Sequence, residues 1–317
     1  MAHFAQTYRY AEPSSLNFAG TGQLRLATSS PGAVENPHFF EGSLHQPHLA
    51  AQLLSAVHLV VGSRFFTPAN SVGLAIALAD PVVTAGAGML RLEGFSACCS
   101  TYIRVDLEPQ AYAGDVVGKG TTNVDFNAPM RAALARVRDA DGLALSVGRS
   151  AFALRSGNAQ VLEKKVDLPL RWLRSMVAVQ AYQAAMHKVF EVGAVPSLRF
   201  LRSLPKASTS KTPLWVVVGP QGLRTTAQSD AGGVRFTDSI RLRVLESLLP
   251  QARSLSLYAD ANGQASGWCA DFGHMRLTLV LSAEVWRGFS GEGQALHAMV
   301  LADDSRPLAA VRAQLHW

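Results

Sequence analysis

Cysteine is scarce in this 317-residue chain. Cys98, Cys99 and Cys269 are too few and too unevenly spaced for a disulfide framework, and a reducing compartment is their simplest setting. Charge is sparse as well, at 16% of residues against 48% hydrophobic. That balance excludes an intrinsically disordered chain and leaves enough apolar surface for sizeable cores. Long hydrophobic runs are missing. The opening MAHFAQTYRYAEPSS has no apolar core of signal-peptide length, and the apolar run at 74–79 is far too short to cross a bilayer. A cytoplasmic protein is therefore expected. The net charge of +6, carried mostly by arginine, permits an anionic partner without requiring one.

Catalytic signatures are lacking too. Cys98 and Cys99 open a predicted strand in a Ser/Ala-rich setting, and the only basic residue near them in sequence is Arg104, so buried structural thiols are expected. His38, His45 and His48 fit no zinc-finger spacing. GKGTTN and GFSGEG lack the Lys-Ser/Thr ending of a phosphate loop, and Ser290 does not complete G-x-S-x-G, so both stretches read as hairpin or linker loops. No catalytic residue, cofactor or metal is assigned.

What is present is periodicity. Residues 1–36 read as an extended lead-in with a short strand at 23–27. Pro47 suits a helix start, and Leu49, Leu53, Val57 and Val60 follow at helical spacing, with Gln52, Ser55 and His58 opposite. Strict alternation predicts half-buried strands at 89–95 and 102–107, with Arg91, Glu93, Arg104 and Asp106 on their outer face. A second helix follows the N-cap Asn127, with Met130, Leu134 and Val137 inward. Further strands are expected across 143–154 and 162–168. A connector helix at 171–186 leads to a second round: strand, short helix over 197–204, hairpin through 220–222, a helix capped by Asp238 or Ser239, and three closing strands. In the last helix Ile240, Val244, Leu245 and Leu248 form the predicted stripe. Residues 295–317 read as helical material. Leu53, Met130, Leu134, Leu201, Val244 and Leu248 are expected to be buried between helix and sheet.

Each half thus runs strand, helix, two strands, another strand, helix, three strands. This order resembles the DNA sliding clamps over about residues 38–285, with FFEGSLHQPHLAAQLLSAV and VDFNAPMRAALARV similar to the first and second helical units of a clamp domain. The resemblance implies an α+β fold of duplicated β-α-β-β-β units, antiparallel sheets carrying helices on one side. The expected boundaries are 1–36, a first domain at 37–170, a second at 171–287, and a linker or the start of a further segment at 288–317.

Five stretches, ENPHFFEG, LEGFSACCSTYIRVDL, GKGTTNVDFNAPMRAAL, VLEKKVDLPLRWLR and GFSGEG, resemble the N-terminal region of bacterial SWIM zinc-finger family proteins. The namesake CxC…CxH finger has no counterpart in this sequence, so neither its zinc nor its binding activity is implied. The resemblance does imply protein partners, namely MoxR-type AAA+ ATPases and von Willebrand A-domain proteins. The expected function is a non-enzymatic clamp-like scaffold or adaptor, able to form homo-oligomers. One alternative is a DNA-binding clamp using Arg131, Arg136 and Arg138 on the second helix, Arg199 and Arg202 on the third, and Arg243 on the fourth, beside Glu246. Another is an enzyme using Cys98 or Cys99.

Overall fold

The structure, a computed structural model, describes residues 15–17, 23–26, 40–63, 81–86, 88–116, 120–124, 126, 128–148, 151–155, 159–160, 170–205, 213–220, 222–228, 232–284 and 288–289. They fall into two compact units, one drawn from 1–62, 67–94 and 104–168, the other from 63–66, 95–103 and 169–317. The strand expected at 162–168 and the helical material at 295–317 lie outside the described residues. Each unit combines helices with antiparallel sheets, so the chain is an α+β protein. No helix among the described residues is long and apolar enough to cross a membrane.

In chain order the first unit contains β1 (Ser15–Asn17), β2 (Gln23–Leu26), β3 (Phe40–Leu44), α1 (Pro47–Val61), β4 (Val82–Gly86), β5 (Met89–Phe95), β6 (Thr101–Leu107), β7 (Tyr112–Asp115) and β8 (Gly120–Asn123). It continues with α2 (Ala128–Leu134), β9 (Ala144–Gly148), β10 (Ala151–Arg155) and β11 (Ala159–Gln160), while Phe95 and residues 101–103 count with the second unit. One sheet has the order β11-β1-β2-β10-β9-β3-β7, and in the other β4 sits between β5 and β8. Along β3, Phe40, Gly42 and Leu44 point inward and Glu41 and Ser43 outward, the period-2 pattern of a strand with one covered face. Its pairing with β7 requires a glycine. At Gly114 φ is 151°, and an added Cβ would lie 2.1 Å from the Glu41 carbonyl oxygen.

The inward faces of α1 and α2 hold: Leu53, Met130 and Leu134 are all buried. The polar side of α1 is only partly open to solvent, because Gln52, Ser55 and His58 are half-buried. The His58 ring stacks on Phe126 at 6.0 Å, and its Nδ1 is buried with no hydrogen-bond partner among the described residues. Burial first, and the Arg131 charge second, lower its pKa from 6.5 to about 4. The unfolded chain therefore takes up this proton near pH 6.5 and the folded one only near 4. The resulting stability is complete above pH 6.5 and lost as pH falls toward 4. Partial exposure limits it to about 1–2 kcal/mol. Urea midpoints measured at pH 7 and pH 5 should show the loss in the native sequence and a smaller one in His58→Phe. Equal losses in the two proteins would assign the pH dependence elsewhere.

The outer face predicted for β5 and β6 is corrected. Arg91, Glu93 and Asp106 are buried, and Arg104 is only partly exposed. Asp106 accepts from Arg91 Nε at 2.7 Å through one carboxylate oxygen and pairs with Arg104 Nε at 2.9 Å through the other. Alternation marks these positions as polar, and both faces of a strand can be covered when the polar side is satisfied by its own ion pairs.

The second unit holds α3 (Leu170–Ala185), β12 (Met186–Gly193), α4 (Ala194–Ser203), β13 (Leu214–Gly219), β14 (Gly222–Thr226), β15 (Val234–Phe236), α5 (Ser239–Leu242), β16 (Ser254–Asp260), β17 (Ala265–Asp271) and β18 (Met275–Ser282). Its larger sheet runs β12-β16-β17-β18, with the 101–103 end of β6 beside β18, and its smaller one β14-β13-β15. Trp268 is fully buried on β17, its ring parallel to Phe200 at 6.1 Å and edge-on to Phe236 at 5.6 Å. The outer strand β12 carries a bulge between Lys188 and Phe190 and a Lys188–Glu191 ion pair at 2.6 Å. Both features blunt an edge against further strand pairing.

Leu201 and Leu248 are buried as expected, but the helix stripe over 240–248 is corrected. Only four residues are α-helical there, and 3₁₀ turns follow at Arg243–Leu245 and Leu249–Gln251. At three residues per turn Leu242, Leu245 and Leu248 share a face and are buried, leaving Val244 half-buried and Ile240 44% exposed.

The strand pairings recur between the units. β3 pairs with β9 as β12 pairs with β16, and β9 with β10 as β16 with β17. β4 pairs with β5 and β8 as β13 pairs with β14 and β15. In each unit a helix follows the leading strand (α1, α4), and a second helix follows β8 or β15 (α2, α5).

Candidate functional site

In the second unit the β5–β6 hairpin turns through residues 96–100. Cys99 N donates to the Ser96 carbonyl at 2.7 Å, and Ser96 N to the Thr101 carbonyl at 2.8 Å. Cys99 has φ 54°, the one positive value at a non-glycine residue among those described. A side chain in this region costs about 1–2 kcal/mol, so the surroundings must hold it there. They do so through the backbone. Phe289 N donates to the Cys99 carbonyl at 2.6 Å and Ser282 N to the Ser100 carbonyl at 2.9 Å. Gly288, at φ 29°, lies so close that an added Cβ would be 2.3 Å from Ser100 Cα. The first glycine of GFSGEG thus locks the cysteine loop.

The loop meets a buried arginine. Asp238 caps α5 by accepting from Arg241 N at 3.0 Å, and its other oxygen accepts from Arg241 Nη1 at 2.8 Å. Nη1 also donates to Ser100 Oγ at 2.8 Å, and Nε to Ser63 Oγ at 2.8 Å. The remaining nitrogen, Nη2, donates to Cys98 Sγ at 3.1 Å. Ser100 Oγ and Ser96 Oγ stand 3.1 and 3.5 Å from the same sulfur. Burial alone would push the Cys98 thiol up, but the Arg241 charge and the Ser100 and Ser96 hydroxyls outweigh it and hold the thiol below its ordinary range. Cys98 is partly exposed, Cys99 buried, and neither is in a disulfide. The arrangement favours a thiolate. Among the described residues no histidine or carboxylate hydrogen-bonds the sulfur, as the general base of acyl transfer would.

Arg241 was not among the residues singled out from the sequence. It lies 143 residues from Cys98. The readable signal was local: an N-cap aspartate with an arginine three positions on, set between Ile240 and Leu242.

The arginines expected on basic helix faces divide. In the first unit Arg136 and Arg138 are exposed, while exposed Arg131 donates from Nη1 to the Phe126 carbonyl at 2.9 Å. In the second, Arg199 is exposed, Arg202 pairs with Glu246 at 3.6 Å, and Arg243 pairs with Glu246 at 2.8 Å. Arg243 also donates to the Leu204 carbonyl at 3.1 Å, satisfying the end of α4. His45 Nδ1 and His48 Nδ1 lie 2.9 and 2.8 Å from the carbonyls of Gln110 and Val137, and His38 is outside the described residues.

None of the known protein-family models matches the chain, and no curated protein is significantly similar to it.

Proposed function

We propose that the chain is a non-enzymatic, clamp-like scaffold whose work is to bind protein partners. The observation that carries this reading is the recurrence of strand pairings in the two units, which fits a duplicated β-α-β-β-β plan. The SWIM-family resemblance supplies the kind of partner, a MoxR-type AAA+ ATPase or a von Willebrand A-domain protein. Partner binding then uses surfaces other than the β12 edge, which its bulge and ion pair protect. Light scattering at micromolar concentration, with the chain alone and with a MoxR-type ATPase encoded beside it, tests this. An added mass in the mixture is expected. A monomer that ignores both the ATPase and a co-encoded von Willebrand A-domain protein would end the scaffold reading.

A DNA-binding clamp is the weaker proposal, because Arg131, Arg202 and Arg243 already serve the fold. Duplex binding at low salt that weakens steeply with added salt would favour it.

A further inference from the structure

We propose that Cys98 is an oxidisable thiol site, built to react with a small hydroperoxide such as hydrogen peroxide. The site stands apart from the scaffold reading and needs no partner. Its basis is geometric. A fork of five N–H groups on a buried side chain is held by Asp238, Ser63 and Ser100, so one of its nitrogens is fixed 3.1 Å from the sulfur. The loop bearing the sulfur is fixed from the other side by Ser282 and Phe289. A structural cysteine needs none of this, since a small apolar pocket suffices. Cys99 is buried to 2% exposure beside a sulfur that is kept partly open.

The reaction balances without a further reagent. The Cys98 thiolate attacks one oxygen of the peroxide, and an S–O bond forms as the O–O bond breaks. Sulfur loses two electrons. The departing hydroxide gains them, takes up a proton and leaves as water, and the product is a sulfenic acid. Arg241 and Ser100 place hydrogen-bond donors where negative charge moves from sulfur to oxygen.

The native full-length chain is treated with hydrogen peroxide at neutral pH in the presence of dimedone, and the label is mapped by peptide mass spectrometry. Labelling at Cys98 is expected, absent in Cys98→Ser and retained in Cys99→Ser. Labelling at Cys99 or Cys269 instead, or none, overturns the proposal. Alkylation by iodoacetamide supplies the rate. Cys98 should react about fivefold or more faster in the folded protein than in urea, the gain in thiolate outweighing the lost nucleophilicity. A folded-state rate no greater than the unfolded one also overturns it. Arg241→Met should bring Cys98 to within about twofold of Cys269 in the same molecule, an internal comparison that a merely structural role for the arginine leaves unmoved. If that variant does not fold, Ser100→Ala should slow Cys98 relative to Cys269 in the same direction. An unchanged ratio in the folded variant counts against the site.

Discussion

Asp106→Ala should cost the first unit about 3–5 kcal/mol, because it removes the buried carboxylate that pairs with the Arg91 guanidinium through one oxygen and with Arg104 through the other. Side-chain exposures of 10% for Arg91 and 6% for Asp106 leave little room for water to replace the lost carboxylate. Urea unfolding reads the loss as a shift in midpoint at unchanged slope. The combined Arg91→Met, Asp106→Leu protein separates two causes. It removes the buried charge together with its partner, so it should recover much of the stability that Asp106→Ala loses. A single substitution costing under about 1 kcal/mol would mean that these charges reach solvent.

Trp268→Ala should cost the second unit a similar about 3–5 kcal/mol. The indole is fully buried between Phe200 of α4 and Phe236 of β15, and its Nε1 donates to Ser266 Oγ at 3.1 Å. Truncation leaves a cavity bounded by two rings and orphans a buried hydroxyl. Trp268→Phe keeps the ring contacts and loses only the hydrogen bond and part of the volume, so it should fall well short of the alanine variant. Thermal melting of the two variants, followed by near-ultraviolet circular dichroism, checks the order. Equal losses would show that packing against Phe200 and Phe236 contributes little.

Local pattern made much of this fold legible. The stretches SLSLYAD, SGWCADF and HMRLTLVLS read as strands and form β16, β17 and β18, the Pro-Gln-Gly turn located the β13–β14 hairpin, and of the two expected N-caps, Asp238 and Ser239, it is Asp238 that caps α5. Such features depend on neighbours in sequence. Alternation distinguishes the two faces of a strand, but it does not say whether the polar face meets water or a set of counter-charges. Arg91 and Asp106 therefore read as solvent-facing although both are buried. Strand β4, with no polar alternation, was missed. The last helix was misjudged because Ile240 and Val244 fit an α-helical period, whereas the backbone tightens to three residues per turn. The thiol site was beyond local reading, since a cysteine's reactivity depends on the charge that the fold brings to it.

The interleaving of the two units in sequence also sets a timetable. Residues 95–103 belong to the second unit, but most of that unit lies after residue 169. On the ribosome the Cys98 loop emerges roughly 180 residues before the end of β18, a lag of about ten to forty seconds at ordinary synthesis rates of about 5–20 residues per second. Until Arg241 has been translated and folded against it, Cys98 has no guanidinium to set it apart from Cys99. Any special reactivity is therefore a property of the finished protein, and the nascent chain carries two adjacent ordinary thiols.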